Sequence, residues 1–155
     1  MSIATATAQT PLAEGTNTHF RWTVETGATP ENIWRIWTDV SNWPTWDTGL
    51  RAAELDGNFG LNAKGKLRPD QGPVSKFKIS EFENGKMYVL KTAIPFGSLT
   101  VRRSLEVRSG RTFFTHEVRF TGLLKGVFGK KFGARYRVLL PEAMERIKAL
   151  AERTR

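Results

Sequence analysis

The sequence predicts an α+β fold: one curved antiparallel sheet of seven strands and a single long C-terminal helix. Three observations carry this. Between Arg51 and Thr121 apolar and polar residues alternate with period two, cut by Asn84-Gly85 and Ser109-Gly110. From Gly122 to Arg153 the period changes, and at about 100° per residue Phe128, Phe132, Tyr136, Leu139, Ala143, Ile147 and Leu150 form one apolar stripe. No repeat or internal linker interrupts the chain, and runs of strands followed by a helix describe an α+β layout.

Taken in order, Met1 to Asn17 is small and polar and reads as a disordered tail, leaving residues 18–155 as one ligand-binding domain. Phe20, Trp22 and Val24 alternate with polar residues in the first strand. Thr29-Pro30-Glu31 then supplies a hydroxyl N-cap, a proline at the first helical position and an acid in the first turn. Ile33, Trp34 and Trp37 give that helix its apolar face, and Ser41-Asn42-Trp43-Pro44 opens a second short helical piece carrying Trp46 and Asp47. Strands follow at Arg51–Asp56, Lys66–Arg68, Val74–Phe82, Lys86–Ile94, Ser98–Arg108 and Arg111–Thr121. In the final helix Gly126, Gly129 and Gly133 lie beside the apolar stripe. Two readings stand for them: room for a ligand, or close packing of backbone against a strand. Pro141 is expected to kink or divide the helix.

The chain has 155 residues, enough for one domain with a core. It lacks the apolar run of a transmembrane helix and the basic start and apolar block of a secretory signal, which points to a cytoplasmic protein. With no cysteine, disulfides, thiolate catalysis and cysteine-bound metals are excluded. Gly-x-Ser-x-Gly, dinucleotide-loop and Walker patterns are absent, and no cofactor is called for. The net charge of +9 comes from residues scattered along the chain, and it reads first as a solvated surface.

The entry Ala28-Thr29-Pro30-Glu31-Asn32-Ile33-Trp34 and the segment Val40-Ser41-Asn42-Trp43-Pro44-Thr45-Trp46-Asp47 carry a family resemblance. Gly57, Gly65, Gly72, Thr115-His116-Glu117-Val118 and the terminal helix add to it. In order and spacing these resemble the START/Bet v 1-like (SRPBCC) superfamily, in particular its polyketide cyclase/dehydrase and lipid-transport branch. The resemblance covers Thr18 to Arg155. It implies a helix-grip fold, with the sheet wrapped round the C-terminal helix and a cavity between them. Members bind lipids, sterols, polyketides, hormones or quinones, and some catalyse a reaction.

Strand parity sorts the residues that face such a cavity. Phe114, His116, Val118 and Phe120 share one face of the last strand, and Leu99, Val101, Arg103, Leu105 and Val107 one face of the strand before it. Arg103 thus stands among aliphatics, where a charge is costly unless paired or hydrogen-bonded. Glu81, in parity with Phe77 and Ile79, is the expected partner. Tyr88, Leu90, Thr92, Ile94 and Phe96 share a face of the Lys86 strand. The ligand-binding candidates are therefore Trp46, Glu81, Tyr88, Phe96, Arg103, Phe114 and His116, with Phe128, Phe132 and Tyr136 facing them from the helix. Trp34, Trp37, Trp43 and Trp46 read first as core; Trp46 is kept because the resemblance puts its short helix near the cavity mouth. Asp47 stands either as a helix-end residue or as an entrance contact. His19 lies opposite in parity to Phe20 and Trp22, so the two histidines cannot share the cavity and no metal site is expected.

Three functions follow as expectations. The first is a carrier or sensor for a hydrophobic small molecule such as a lipid, polyketide or quinone. The second is a cyclase or dehydratase using His116 and Arg103 as catalytic candidates. Against both stands the bland alternative of an internal Arg–Glu pair and a hydrogen-bonded wall histidine. The third is transient contact with a membrane surface through Lys125, Lys130, Lys131, Arg135 and Arg137. Nucleic acid is disfavoured as a partner because these five spread around a helix instead of forming one stripe.

Overall fold

A computed structural model describes residues 11–153. The chain runs β1 (Glu14–Thr16), β2 (His19–Thr26), α1 (Pro30–Thr38), a 3-10 turn (Val40–Thr45), then β3 (Leu50–Asp56), β4 (Lys64–Pro69) and β5 (Ser75–Glu83). It continues through β6 (Met87–Ile94), β7 (Gly97–Arg108) and β8 (Arg111–Gly122) to α2 (Lys125–Phe128), a π-helical turn (Gly129–Gly133) and α3 (Ala134–Arg153). The strands form one antiparallel sheet in the order β1-β2-β8-β7-β6-β5-β4-β3. The α+β helix-grip architecture is as expected, with eight strands in place of seven.

The additional strand lies in the stretch expected to be a tail. Glu14–Thr16 pairs with β2, and Ala13 is fully buried, its N–H bonded to the Arg137 carbonyl at 3.0 Å. Pro141 explains that bond. Proline has no N–H to offer the carbonyl four residues back, which leaves the Arg137 carbonyl free for Ala13. Instead of dividing α3, the buried Pro141 lets its helix anchor the start of the ordered chain. Residues 1–10 of the expected tail lie outside the described residues.

Local signals act as the sequence predicts at α1, where the Thr29 side chain accepts from the Asn32 N–H and Pro30 takes the first helical position. The β7–β8 hairpin turns through Ser109 and Gly110, with φ of +50° and +75°, the left-handed pair that matches the twist of the flanking strands. Tertiary packing settles the choice left open for the helix glycines. A Cβ on Gly133 would lie 1.9 Å from the Asn17 carbonyl oxygen, and one on Gly129 2.6 Å from the Thr18 methyl. Both glycines press the π turn against the chain just before β2. Gly126 faces open space.

The core lies between the sheet, α1, the 3-10 turn and α3. It gathers Phe20, Ile33, Trp37, Trp43, Trp46, Tyr88, Phe114, Met144 and Ile147 among its buried residues. The buried line of α3 runs through Leu140, Ala143, Met144, Ile147 and Ala151. Tyr136 and Leu139 of the expected stripe are half-buried, as are Phe128 and Phe132 before them. Among the described residues no helix is long and apolar enough to cross a membrane.

Candidate functional site

The chemistry of the interior centres on Arg103. It occupies an inward position of β7, directly opposite His116 on β8 and opposite Tyr88 on β6. All three are buried. Arg103 Nη1 donates to the Tyr88 hydroxyl at 2.6 Å, and that hydroxyl donates to the Trp37 carbonyl at 2.8 Å. Trp43 Nε1 donates to the same carbonyl at 3.0 Å. Trp37 sits in the last turn of α1, where carbonyls have no helical partner. The helix end thus supplies the acceptor that orders both aromatic donors.

The guanidinium carbon lies 4.7 Å from the ring centre of Trp43, 5.0 Å from Trp46 and 5.6 Å from Tyr88. Cation–π attraction of about 2 kcal/mol per desolvated contact is what keeps a charge in so apolar a place. His116 is enclosed by aromatic rings, with centroids 5.4 Å from Trp37, 5.9 Å from Trp46 and 6.5 Å from Phe114. Burial holds its imidazole well below the ordinary histidine range, and the Arg103 charge pushes the same way. Burial raises the Tyr88 phenol, with Arg103 partly offsetting it.

Among the described residues the buried carboxylate is Asp47. It accepts the Gly49 N–H at 3.0 Å and feels the Arg103 charge, although burial still raises its pKa. The Tyr136 phenol is raised in turn, first by the Asp47 carboxylate and then by burial. That coupling brings α3 into the site.

Polar atoms in this interior lack partners. Arg103 Nε, His116 Nε2, Trp46 Nε1 and Trp37 Nε1 are buried with no hydrogen-bond partner among the described residues. Each such atom costs about 1–3 kcal/mol. Arg103 Nε and both indole N–H groups are donors, so the arrangement suits an oxygen acceptor placed among aromatic rings.

Of the residues singled out from sequence, Trp46, Tyr88, Arg103, Phe114, His116 and Tyr136 come together here. Phe128 and Phe132 stack on each other, with ring centres 6.1 Å apart. Glu81 does not join them. A register shift between Ile79 and Glu81 reverses the parity of β5, turning Phe82 inward and Glu81 out to an exposed pairing with Arg102 at 3.8 Å. Phe96 is also outside, on the β6–β7 turn and 75% exposed, because the strand ends at Ile94. His19 is on the outer side, bonded to Glu117 at 2.8 Å. Parity gave no sign of Asp47, Trp37 or Trp43, since α1 and the 3-10 turn lie outside the period-two pattern. The space expected between sheet and helix is taken up around Arg103 by these indole rings. A surface depression of about 470 Å³ lies on the outer side of the sheet, with five lysines among its lining residues.

A family model described as polyketide cyclase / dehydrase and lipid transport matches residues 17–152. Solved structures with the same fold include a START superfamily protein from Mycobacterium smegmatis (TM-score 0.65, 14% identity, 88% of this chain and 99% of that one). A major latex-like protein from Panax ginseng aligns with TM-score 0.69 and 13% identity over 86% of this chain and 96% of its own. Norcoclaurine synthase from Thalictrum flavum, solved with dopamine and hydroxybenzaldehyde, gives 0.66 and 15% over 89% and 88%. At these identities the likeness shows the fold alone. The search of curated proteins returned no match.

Proposed function

We infer from this chain's place in the polyketide cyclase/dehydrase and lipid transport family, to which it belongs, that it carries or senses a hydrophobic small molecule bearing an oxygen acceptor. The observation that carries the reading is the set of unpartnered buried nitrogens around Arg103. A carboxylate, enolate or carbonyl oxygen reaching Arg103 Nε and the Trp46 indole would relieve two of them at once. The rest of the ligand would take the place of ring contacts among Trp43, Trp46 and the half-buried side chains of the C-terminal helix.

Native mass spectrometry of the purified protein tests this reading. A retained apolar species released by denaturation supports it. A protein that stays ligand-free after incubation with a range of fatty acids and aromatic carboxylates overturns it. The cyclase or dehydratase reading loses support from the same geometry. His116 is 1% exposed and enclosed by Trp37, Trp46 and Phe114, so a substrate would have to displace those rings before a general base could reach it.

A further inference from the structure

Register assembles a basic surface from lysines that the sequence scatters. Lys64 and Lys66 on β4, Lys76 and Lys78 on β5, and Lys91 on β6 alternate with buried Gly65, Phe77 and Leu90, so all five project from the outer face. Lys64 stands opposite Lys78, Lys66 opposite Lys76, and Lys78 opposite Lys91. Like charges directly opposite destabilise a sheet. Glu54 and Asp56 of β3 stand opposite Lys66 and Lys64, but the lysine–lysine pairs within β4, β5 and β6 are held against local preference, and among the described residues none of the five lysines takes part in an ion pair. They line the depression of about 470 Å³ together with Asp56, opposite Lys64, with Gly65 and Phe77 of β4 and β5, and with Ala93, Gly97 and Ser98.

At Gly97 this basic bowl meets an apolar tip. Phe96 and Leu123 are 75% and 86% exposed, and Val127 and Val74 are exposed beside them in the chain segments that meet at this end of the sheet. Gly97 pairs with Gly122, and the Leu123 N–H donates to the Phe96 carbonyl at 3.2 Å, which ties the two turns together. Phe96 holds φ of +60°, a conformation uncommon for a bulky residue. The turn therefore presents an aromatic ring to water at a backbone cost.

We propose that this end of the sheet docks on an anionic lipid surface, with Phe96 and Leu123 entering the headgroup layer and the five lysines engaging acidic headgroups. Apolar tip and point charges are complementary to such a surface on both counts. The bowl offers no arginine fork and no stacked aromatic platform, the features that nucleic acid rewards. Two of the five basic residues of the helical cluster are already engaged: Arg135 with Asp70, and Arg137 with Ala13 and Asn17. The proposal stands apart from what occupies the interior.

Sedimentation with phosphatidylcholine vesicles, with and without phosphatidylglycerol, tests it at low and high salt. The expected result is binding to the anionic vesicles alone, lost at high salt, and weakened roughly fivefold by each of Lys76→Gln, Lys78→Gln and Lys91→Gln. Phe96→Asn, which suits the left-handed turn and so keeps the fold, should weaken it about tenfold. Because the chain has no cysteine, Phe96→Cys carries a single environment-sensitive dye whose emission should shift to the blue on vesicles. Absence of binding to anionic vesicles, indifference to the lysine variants, an unshifted dye, or equally tight binding of duplex DNA would each overturn the proposal.

Discussion

Arg103 and His116 face each other across the β7–β8 pair, both buried, and among the described residues neither has a carboxylate within hydrogen-bond reach. Charge and imidazole share one aromatic enclosure, where burial first and the Arg103 charge second hold the His116 imidazole neutral.

Stability should follow His116 in mild acid. Its folded pKa lies well below the ordinary 6.5, so the folded protein keeps it neutral while the unfolded chain takes up a proton. The unfolded state then binds more protons, and stability present above 6.5 falls as pH falls below it, by up to about 1.4 kcal/mol per unit. Asp47, raised by burial, acts in the opposite sense at lower pH, where protonation favours the folded state. Urea denaturation across this range should show the slope in wild type and Asp47→Asn and a flatter response in His116→Gln.

Tyr88→Phe deletes both the acceptor of Arg103 and the donor to the Trp37 carbonyl while keeping the ring. The expected loss is about 1–3 kcal/mol, read as a lower denaturation midpoint with an unchanged slope.

Two glycines, one in α2 and one in the π-helical turn, should respond in opposite directions. Gly126→Ala meets open space and should raise stability by up to about 1 kcal/mol through helix propensity. Gly133→Ala drives a methyl into the Asn17 carbonyl and should destabilise, visible as earlier thermal unfolding.

Strand parity made Arg103, His116 and Tyr88 legible from sequence because β6, β7 and β8 run without a break in register. It failed at Glu81, where one bulge in β5 exchanged Glu81 for Phe82. Alternation does not extend past Ile94, and Phe96 stands in a turn outside the site. Asp47 could not be assigned, since its burial depends on how the 3-10 turn folds back over β7, which no local pattern states. The lysine face was within reach: Lys-x-Lys recurs in two consecutive strands, and parity places all four lysines on one side.

The proposed role of Arg103 is to anchor a hydrophobic ligand by its oxygen. Trp37, Trp43 and Trp46 surround that site, so intrinsic fluorescence reports on it directly. Titration of wild type and Arg103→Met with oleate is the most direct measurement, with folding of the variant checked by circular dichroism. A saturable change in wild type, weakened at least about tenfold in the variant, is the expected result for a lost charge-assisted hydrogen bond. No saturable change in wild type, or equal affinity in both proteins, would contradict it.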